Sequence, residues 1–268
     1  MFENNTGIIQ GDGLSPLLFD VFIDDINDIF DDICDPPTLG SLKLHNLLYA
    51  DDLIIMSTSS EGLQNSLDKL DTYCSKWHME INIDKTKTMV LSKSGKVPKS
   101  FEIKYSKKVI QNVKSYKYLG LTIYNNGNFI KGTTELKIRA LKAWFKCKSI
   151  LYSNNANNVH LLLQLFDKLV KPILLYGVEL WGPDFLKKLF VKEDLKFIDN
   201  FFCEIVHNRA CKSILGVTKG SSNIAVRAEL GRTPLYPFIV EMVFKYWYKL
   251  ITQTKNPILK EAYDFKYQ

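Results

Sequence analysis

The sequence predicts an α+β layer, an antiparallel sheet with helices on one face, followed by a mostly helical region. Three observations carry this reading. Leu47-Leu48-Tyr49-Ala50 and Asp51-Asp52-Leu53-Ile54-Ile55-Met56 form two apolar runs around a polar pair, as in a β-hairpin. Short alternating runs near 101–105, 108–113 and 117–124 add further strands. After Asn125-Asn126-Gly127-Asn128 the rest reads as helix after helix, so a boundary is expected near 126. The expected units are 1–125, α+β, and 126–268, helical and basic.

In chain order, Gly7, Gly11 and Gly13 mark a loop with close backbone approach. Ser15 then Pro16 is a helix-start signal, a capping hydroxyl followed by proline. Leu18, Phe19, Phe22, Ile23, Ile26, Ile29 and Phe30 recur at helical spacing, predicting a buried amphipathic helix over 16–30 with an acidic outer face. The Gly-rich loop at its start is a candidate receiver for a phosphate or a base. Thr58-Ser59-Ser60-Glu61 has capping-box spacing, and Leu63, Leu67, Leu70, Cys74 and Trp77 continue a helix over about 61–78. Residues 79–91 alternate around a polar loop, which predicts another β-element with Lys85 and Lys87 at its bend. Helices are expected at about 133–152, 156–171, 185–215, 221–230 and 234–253. The first of these buries Leu136, Ala140, Trp144, Cys147 and Leu151.

Composition narrows the class. With 268 residues, 46% hydrophobic and 24% charged, the chain has the make-up of a soluble globular protein with a real core. Runs such as Leu161-Leu162-Leu163 are too short to span a bilayer, and residues 1–6 lack the basic and apolar regions of a signal peptide. Five scattered cysteines fit reduced thiols, so an intracellular site, nuclear or cytoplasmic, is expected, neither secreted nor membrane-bound. The net charge of +6 conceals an asymmetry. Residues 1–84 hold 16 acidic and 3 basic side chains, and residues 85–268 hold 13 acidic and 32 basic ones. An acidic front that could hold cations and a basic rear suit a polyanion met by a metal site. Solvation of an ordinary surface accounts for the same lysines equally well.

Asp51 and Asp52 are the candidate metal ligands. Adjacent anions at a buried hairpin tip repel unless a cation lies between them, and hard oxygen ligands suit Mg²⁺ or Mn²⁺. The plain alternative is a solvated Asp-Asp turn. Cys203, His207 and Cys211 share a helical face, but zinc sites need a fourth ligand, and buried thiols beside a packed histidine are the simpler reading. The other histidines have no Ser, Cys or Asp partner at triad spacing.

These motifs together resemble the reverse transcriptase of non-LTR (LINE-like) retrotransposons. Gln10-Gly11-Asp12-Gly13-Leu14-Ser15-Pro16-Leu17-Leu18-Phe19 is similar to palm motif B, which more often has Cys-Pro in place of Asp12-Gly13. Tyr49-Ala50-Asp51-Asp52 resembles motif C, Asn82-Ile83-Asp84-Lys85-Thr86-Lys87 motif D, and Tyr118-Leu119-Gly120 the primer-grip hairpin, motif E. The runs from Leu169 to Gly177 and from Ile224 to Arg232 resemble the thumb and post-thumb. The resemblance implies a partial palm over 1–125 and a thumb with post-thumb over 126–268.

It also implies RNA-directed DNA synthesis with two divalent metals, Mg²⁺ or Mn²⁺, activating a primer 3′-hydroxyl. Asp51 would be the main ligand and Asp52 the lesser one. Lys85, or alternatively Lys87, would assist pyrophosphate departure. Gln10, Gly11, Gly13 and Ser15 would contact template and incoming nucleotide, and Tyr118, Leu119 and Gly120 the primer end. Lys137, Arg139, Lys142 and Lys146 would hold the duplex backbone. The implied partners are an RNA template, a DNA primer and deoxynucleoside triphosphates, with no membrane. Motif A, source of the other essential aspartate, belongs upstream of motif B, and only six residues precede Gly7. The expectation is therefore a fragment or decayed copy, inactive alone, that lacks the fingers and endonuclease of the same element. Two other readings stay open. One is a non-catalytic remnant that still binds nucleic acid. The other is another palm-fold nucleotidyltransferase, such as a nucleotide cyclase, which would not need basic helices.

Overall fold

A computed structural model describes residues 11–30, 35–98, 101–155, 158–191, 196–253 and 255–267. The chain divides into two compact units, residues 1–114 with 254–268, and residues 115–253. The division at 114/115, rather than near 126, assigns the last β-hairpin to the helical unit. The reason is packing: that hairpin closes on the first long helix of the second unit, as described below.

In the first unit, α1 (Ser15–Phe22) is followed by a 3-10 helix, Asp24–Phe30. The expected continuous helix over 16–30 therefore breaks at Ile23. The tighter 3-10 turn shifts the angular phase of the side chains. Ile23, Ile26 and Phe30 are buried, whereas Leu18 and Phe22 are 55% and 41% exposed. The predicted buried stripe thus holds only in its second half. Two short strands, β1 (Thr38–Leu39) and β2 (Leu42–Lys43), precede the hairpin of β3 (Asn46–Tyr49) and β4 (Asp52–Ile55). Next comes α2 (Ser60–Lys76), capped by Ser59, whose hydroxyl accepts the Gly62 N–H at 3.0 Å. Leu67, Leu70 and Cys74 are buried as the spacing predicts, and they meet Ile26, Phe30, Ile103 and Ile110 in one core.

Residues 79–91 depart from expectation. They form a turn in which the Asn82 carbonyl accepts the Thr86 N–H at 2.9 Å and the Thr86 hydroxyl at 2.9 Å. Only Thr88 joins a ladder, through an isolated parallel bridge to Asn112. That local turn consumes the polar groups a strand would have offered to a neighbour. β5 (Lys104–Tyr105) pairs with β6 (Lys108–Val109), and α11 (Pro257–Tyr267) returns to lie against β1. Among the described residues the strands form four separate two-stranded antiparallel ladders rather than one sheet.

The second unit opens with the hairpin of β7 (Ser115–Tyr118) and β8 (Leu121–Tyr124), so the strand expected over 117–124 folds back at Leu119-Gly120. It continues with α3 (Ile130–Ser153), α4 (Val159–Leu165), a π-helical turn at Phe166–Val170, and α5 (Lys171–Leu174). α6 (Val178–Val191), α7 (Lys196–Asp199) and α8 (Phe202–Leu215) stand where one helix over 185–215 was expected. α9 (Asn223–Glu229) and α10 (Tyr236–Thr252) complete the unit. Leu136, Ala140 and Trp144 of α3 are buried against Phe166, Val170, Val178, Val206 and Ile239. Gly132 lets α3 approach β8, since a Cβ there would lie 2.7 Å from the Thr122 carbonyl oxygen.

Candidate nucleic-acid and metal site

The register of β3 and β4 sets Tyr49 opposite Asp52 and leaves Ala50 and Asp51 as a two-residue turn. Such turns need positive φ to match strand twist, and Ala50 has φ +50°. Leu53 and Ile55 point to one side and pack against the first unit's core, which anchors the hairpin. Leu47, Leu48 and Tyr49 remain exposed, so burial is confined to one strand. Asp51 and Asp52 are both exposed, and neither has a hydrogen-bond or ion-pair partner among the described residues. Water solvates these carboxylates, so desolvation does not by itself demand a cation between them.

Their oxygen donors suit a hard divalent ion in kind. In number they fall short: no group of three His, Cys, Asp or Glu side chains that could hold a metal occurs among the described residues. Of the nearby acidic residues, Asp25 accepts the Tyr73 hydroxyl, a bond that together with burial raises the Tyr73 pKa.

Gln10 lies outside the described residues. Gly11 (φ +92°) and Gly13 are exposed, and a Cβ on either would meet nothing within 4 Å. Ser15 is buried within the first turn of α1 and is not its cap. Leu14 already has helical φ and ψ, so the helix begins one residue earlier and has no side-chain cap. Lys85 is exposed on the Asn82 turn, its N–H donating to the Asn82 carbonyl at 3.2 Å. Ile81 and Ile83 seat that turn on the core.

In the second unit the Leu119-Gly120 turn is held by side chains from afar. Both residues have positive φ, +44° and +83°. The Tyr176 hydroxyl donates to the Leu119 carbonyl, and Arg139 Nη1 donates to the Gly120 carbonyl at 3.2 Å. At about 100° per residue, Arg139, Lys142 and Lys146 fall within about 60° of helical arc, while Lys137 lies on the opposite side. Arg139, Lys142 and Lys146 are exposed, and Lys137 is half-buried.

Cys203, His207 and Cys211 are buried in the core. The Cys203 thiol donates to the Leu174 carbonyl, and burial pushes the Cys211 thiol up to about 11. His207 stacks on Phe166 and faces Glu204. Glu204, Asp167 and Tyr176 are polar anchors that no sequence motif singles out; Tyr176 falls inside the thumb-like run, which assigns it no role. Arg227 and Arg232, from the post-thumb-like run, are engaged in structure: Arg227 with Asp199 and Asn208, Arg232 with Asp167. Among the described residues no helix is long and apolar enough to cross a membrane.

A hairpin with Asp51 in its turn and Asp52 beside it is followed along the chain by a second hairpin packed on α3. Residues 2–123 match the family model described as reverse transcriptase (RNA-dependent DNA polymerase). The chain is 27% identical over 188 residues to a probable RNA-directed DNA polymerase from transposon BS of Drosophila melanogaster, covering 66% of this chain and 20% of that protein. It is 23% identical over 189 residues to the RNA-directed DNA polymerase from mobile element jockey of the same species, covering 66% of the chain and 19% of that protein. Over 99 residues it is 34% identical to a Pol polyprotein from type-1 retrotransposable element R2 of Nasonia vitripennis, covering 35% and 9%. The matched region is thus similar to LINE-like reverse transcriptases, of the non-LTR retrotransposon kind. The chain spans about a fifth or less of the length of these relatives.

Proposed function

We propose that the chain is the palm-to-thumb part of a reverse transcriptase of a non-LTR retrotransposon. It handles an RNA template and a DNA primer in RNA-directed DNA synthesis and does not polymerise by itself. The observation that carries this is the β3–β4 turn, which presents Asp51 and Asp52 together at an exposed tip within the region matched to the family. Asp51 and Asp52 are the ligands for Mg²⁺ or Mn²⁺, and the described residues provide no third carboxylate to complete the set. Gly11 and Gly13 contact template and nucleotide, Lys85 serves the departing pyrophosphate, and Tyr118, Leu119 and Gly120 grip the primer end. The stripe of Arg139, Lys142 and Lys146 holds the duplex backbone through phosphate contacts.

The test is template-dependent nucleotide incorporation by the purified chain with Mg²⁺ or Mn²⁺, beside salt-dependent binding of an RNA/DNA duplex. Binding without incorporation supports the proposal. Incorporation that Asp51→Ala abolishes would show that a complete metal site forms within this chain. A second reading, a remnant that only binds nucleic acid, is favoured by the solvated, two-membered carboxylate set. Under it, divalent cations have no effect on how the duplex end is bound.

A further inference from the structure

We infer that Tyr176 is a positioning residue for the primer end, acting through the Leu119-Gly120 turn. The inference rests on the proposed reading of that turn as a primer grip. A two-residue hairpin loop with positive φ at both positions is populated most readily by Asn-Gly, and a bulky leucine at the first position is costly there. The sequence places Leu119 at that position with φ +44°, so something outside the turn must hold it.

Tyr176 does so in two ways. Its hydroxyl donates to the Leu119 carbonyl, and its ring fills the space beside Gly120, where a Cβ would lie 3.3 Å from Cε1 and 3.4 Å from Oη. Arg139 takes the neighbouring carbonyl, that of Gly120. Both carbonyls at the tip are therefore committed to side chains, one from α3 and one from the turn between α5 and α6. The Leu119 side chain, 39% exposed, is left as the projecting element. A hairpin fixed at its tip presents Leu119 and Tyr118 in one orientation, whereas an unlatched tip samples several. Tyr176 precedes Gly177 at the entry to α6, so the latch joins the hairpin to the helical core of the same unit. Trp181 Nε1 donates to the Tyr176 carbonyl at 2.9 Å and steadies that residue's backbone.

The experiment uses the full chain and an RNA/DNA duplex with a recessed DNA 3′ end. A fluorescent base analogue sits at the primer terminus in one probe and a dye at the far end of the duplex in another. Tyr176→Phe keeps the ring and removes the hydroxyl. It should leave thermal stability and far-end binding close to wild type. The terminal-base signal should fall by about fivefold, the population change expected for one lost hydrogen bond. Gly120→Ala, which sets a Cβ 3.3 Å from the ring at a position of φ +83°, should lower that signal as well. An unchanged terminal signal in Tyr176→Phe, with far-end binding intact, overturns the inference and leaves the proposed function standing. A wild-type chain that fails to bind the duplex overturns both.

Discussion

The Glu204 carboxylate, fully buried in α8, accepts the backbone N–H of Leu235 at 2.5 Å, across 31 residues of sequence. The same oxygen, Oε1, accepts the Tyr236 N–H at 2.9 Å. These are donors at the start of α10, which has no cap of its own because Leu235 offers no acceptor side chain. Glu204 therefore supplies a long-range N-cap, its oxygen accepting at the positive end of the α10 dipole. Glu204→Ala would strand one buried and one half-buried N–H group and open a cavity beside His207. The expected loss is about 2–4 kcal/mol of unfolding free energy. Glu204→Gln keeps the acceptor and should lose less. Urea denaturation of the two variants checks the order.

Asp167 and Arg232 form a two-pronged ion pair, with Nη1 at 2.7 Å from Oδ2 and Nη2 at 2.5 Å from Oδ1. The Arg232 hydrogen bonds hold the Asp167 carboxyl below its ordinary value of 3.8. A carboxyl with a lowered folded-state pKa stabilises the fold above its unfolded pKa, and that contribution is lost as pH falls through the lowered value. Asp167→Asn should therefore be less stable than wild type at pH 7, and the gap should close below pH 3.8. Thermal melts from neutral to acid pH measure the gap. A constant difference would contradict the assignment.

Asp51 is exposed and has no described partner, so Asp51→Ala should change stability by less than about 0.5 kcal/mol. Far-end duplex binding should be unchanged. Line broadening by Mn²⁺ of residues in the β3–β4 turn should disappear. Broadening that persists in the variant would place the cation elsewhere.

Lys142 and Lys146 share one stripe of α3, and Lys137 lies across the helix from it. Replacing Lys142 and Lys146 together by Gln should lower the salt slope of duplex binding by about 2, one for each phosphate no longer neutralised. Lys137→Gln should leave it nearly unchanged. A slope that responds equally to all three would mean diffuse attraction rather than a tracked backbone.

Periodicity alone located much of the fold. α2 and α3 bury Leu67, Leu70, Cys74, Leu136, Ala140 and Trp144, while Leu63, Trp77, Cys147 and Leu151, which the spacing also selects, are only half-buried. The polar pair between apolar runs predicted the Asp51-Asp52 hairpin, and its turn of two residues follows from chain geometry. These features are legible because each depends on neighbours within one or two turns of chain. The helix over 16–30 misled for the same reason. Its apolar residues recur correctly, but the α-helix stops at Phe22, and Leu18 and Phe22 of the expected stripe stay in solvent.

The likeness to reverse transcriptases is legible in the order and spacing of the motifs around Asp51-Asp52, Lys85 and Tyr118-Leu119-Gly120. The apolar faces of the helices are legible in the sequence too. Which of those faces are covered, and which polar groups meet, is settled by tertiary packing alone. Tyr176 reaches Leu119 across 57 residues, and Arg232 reaches Asp167 across 65. A hydrogen bond needs donor and acceptor within a few tenths of an ångström of one geometry. Residue type and local period carry no record of that placement until the helices have packed.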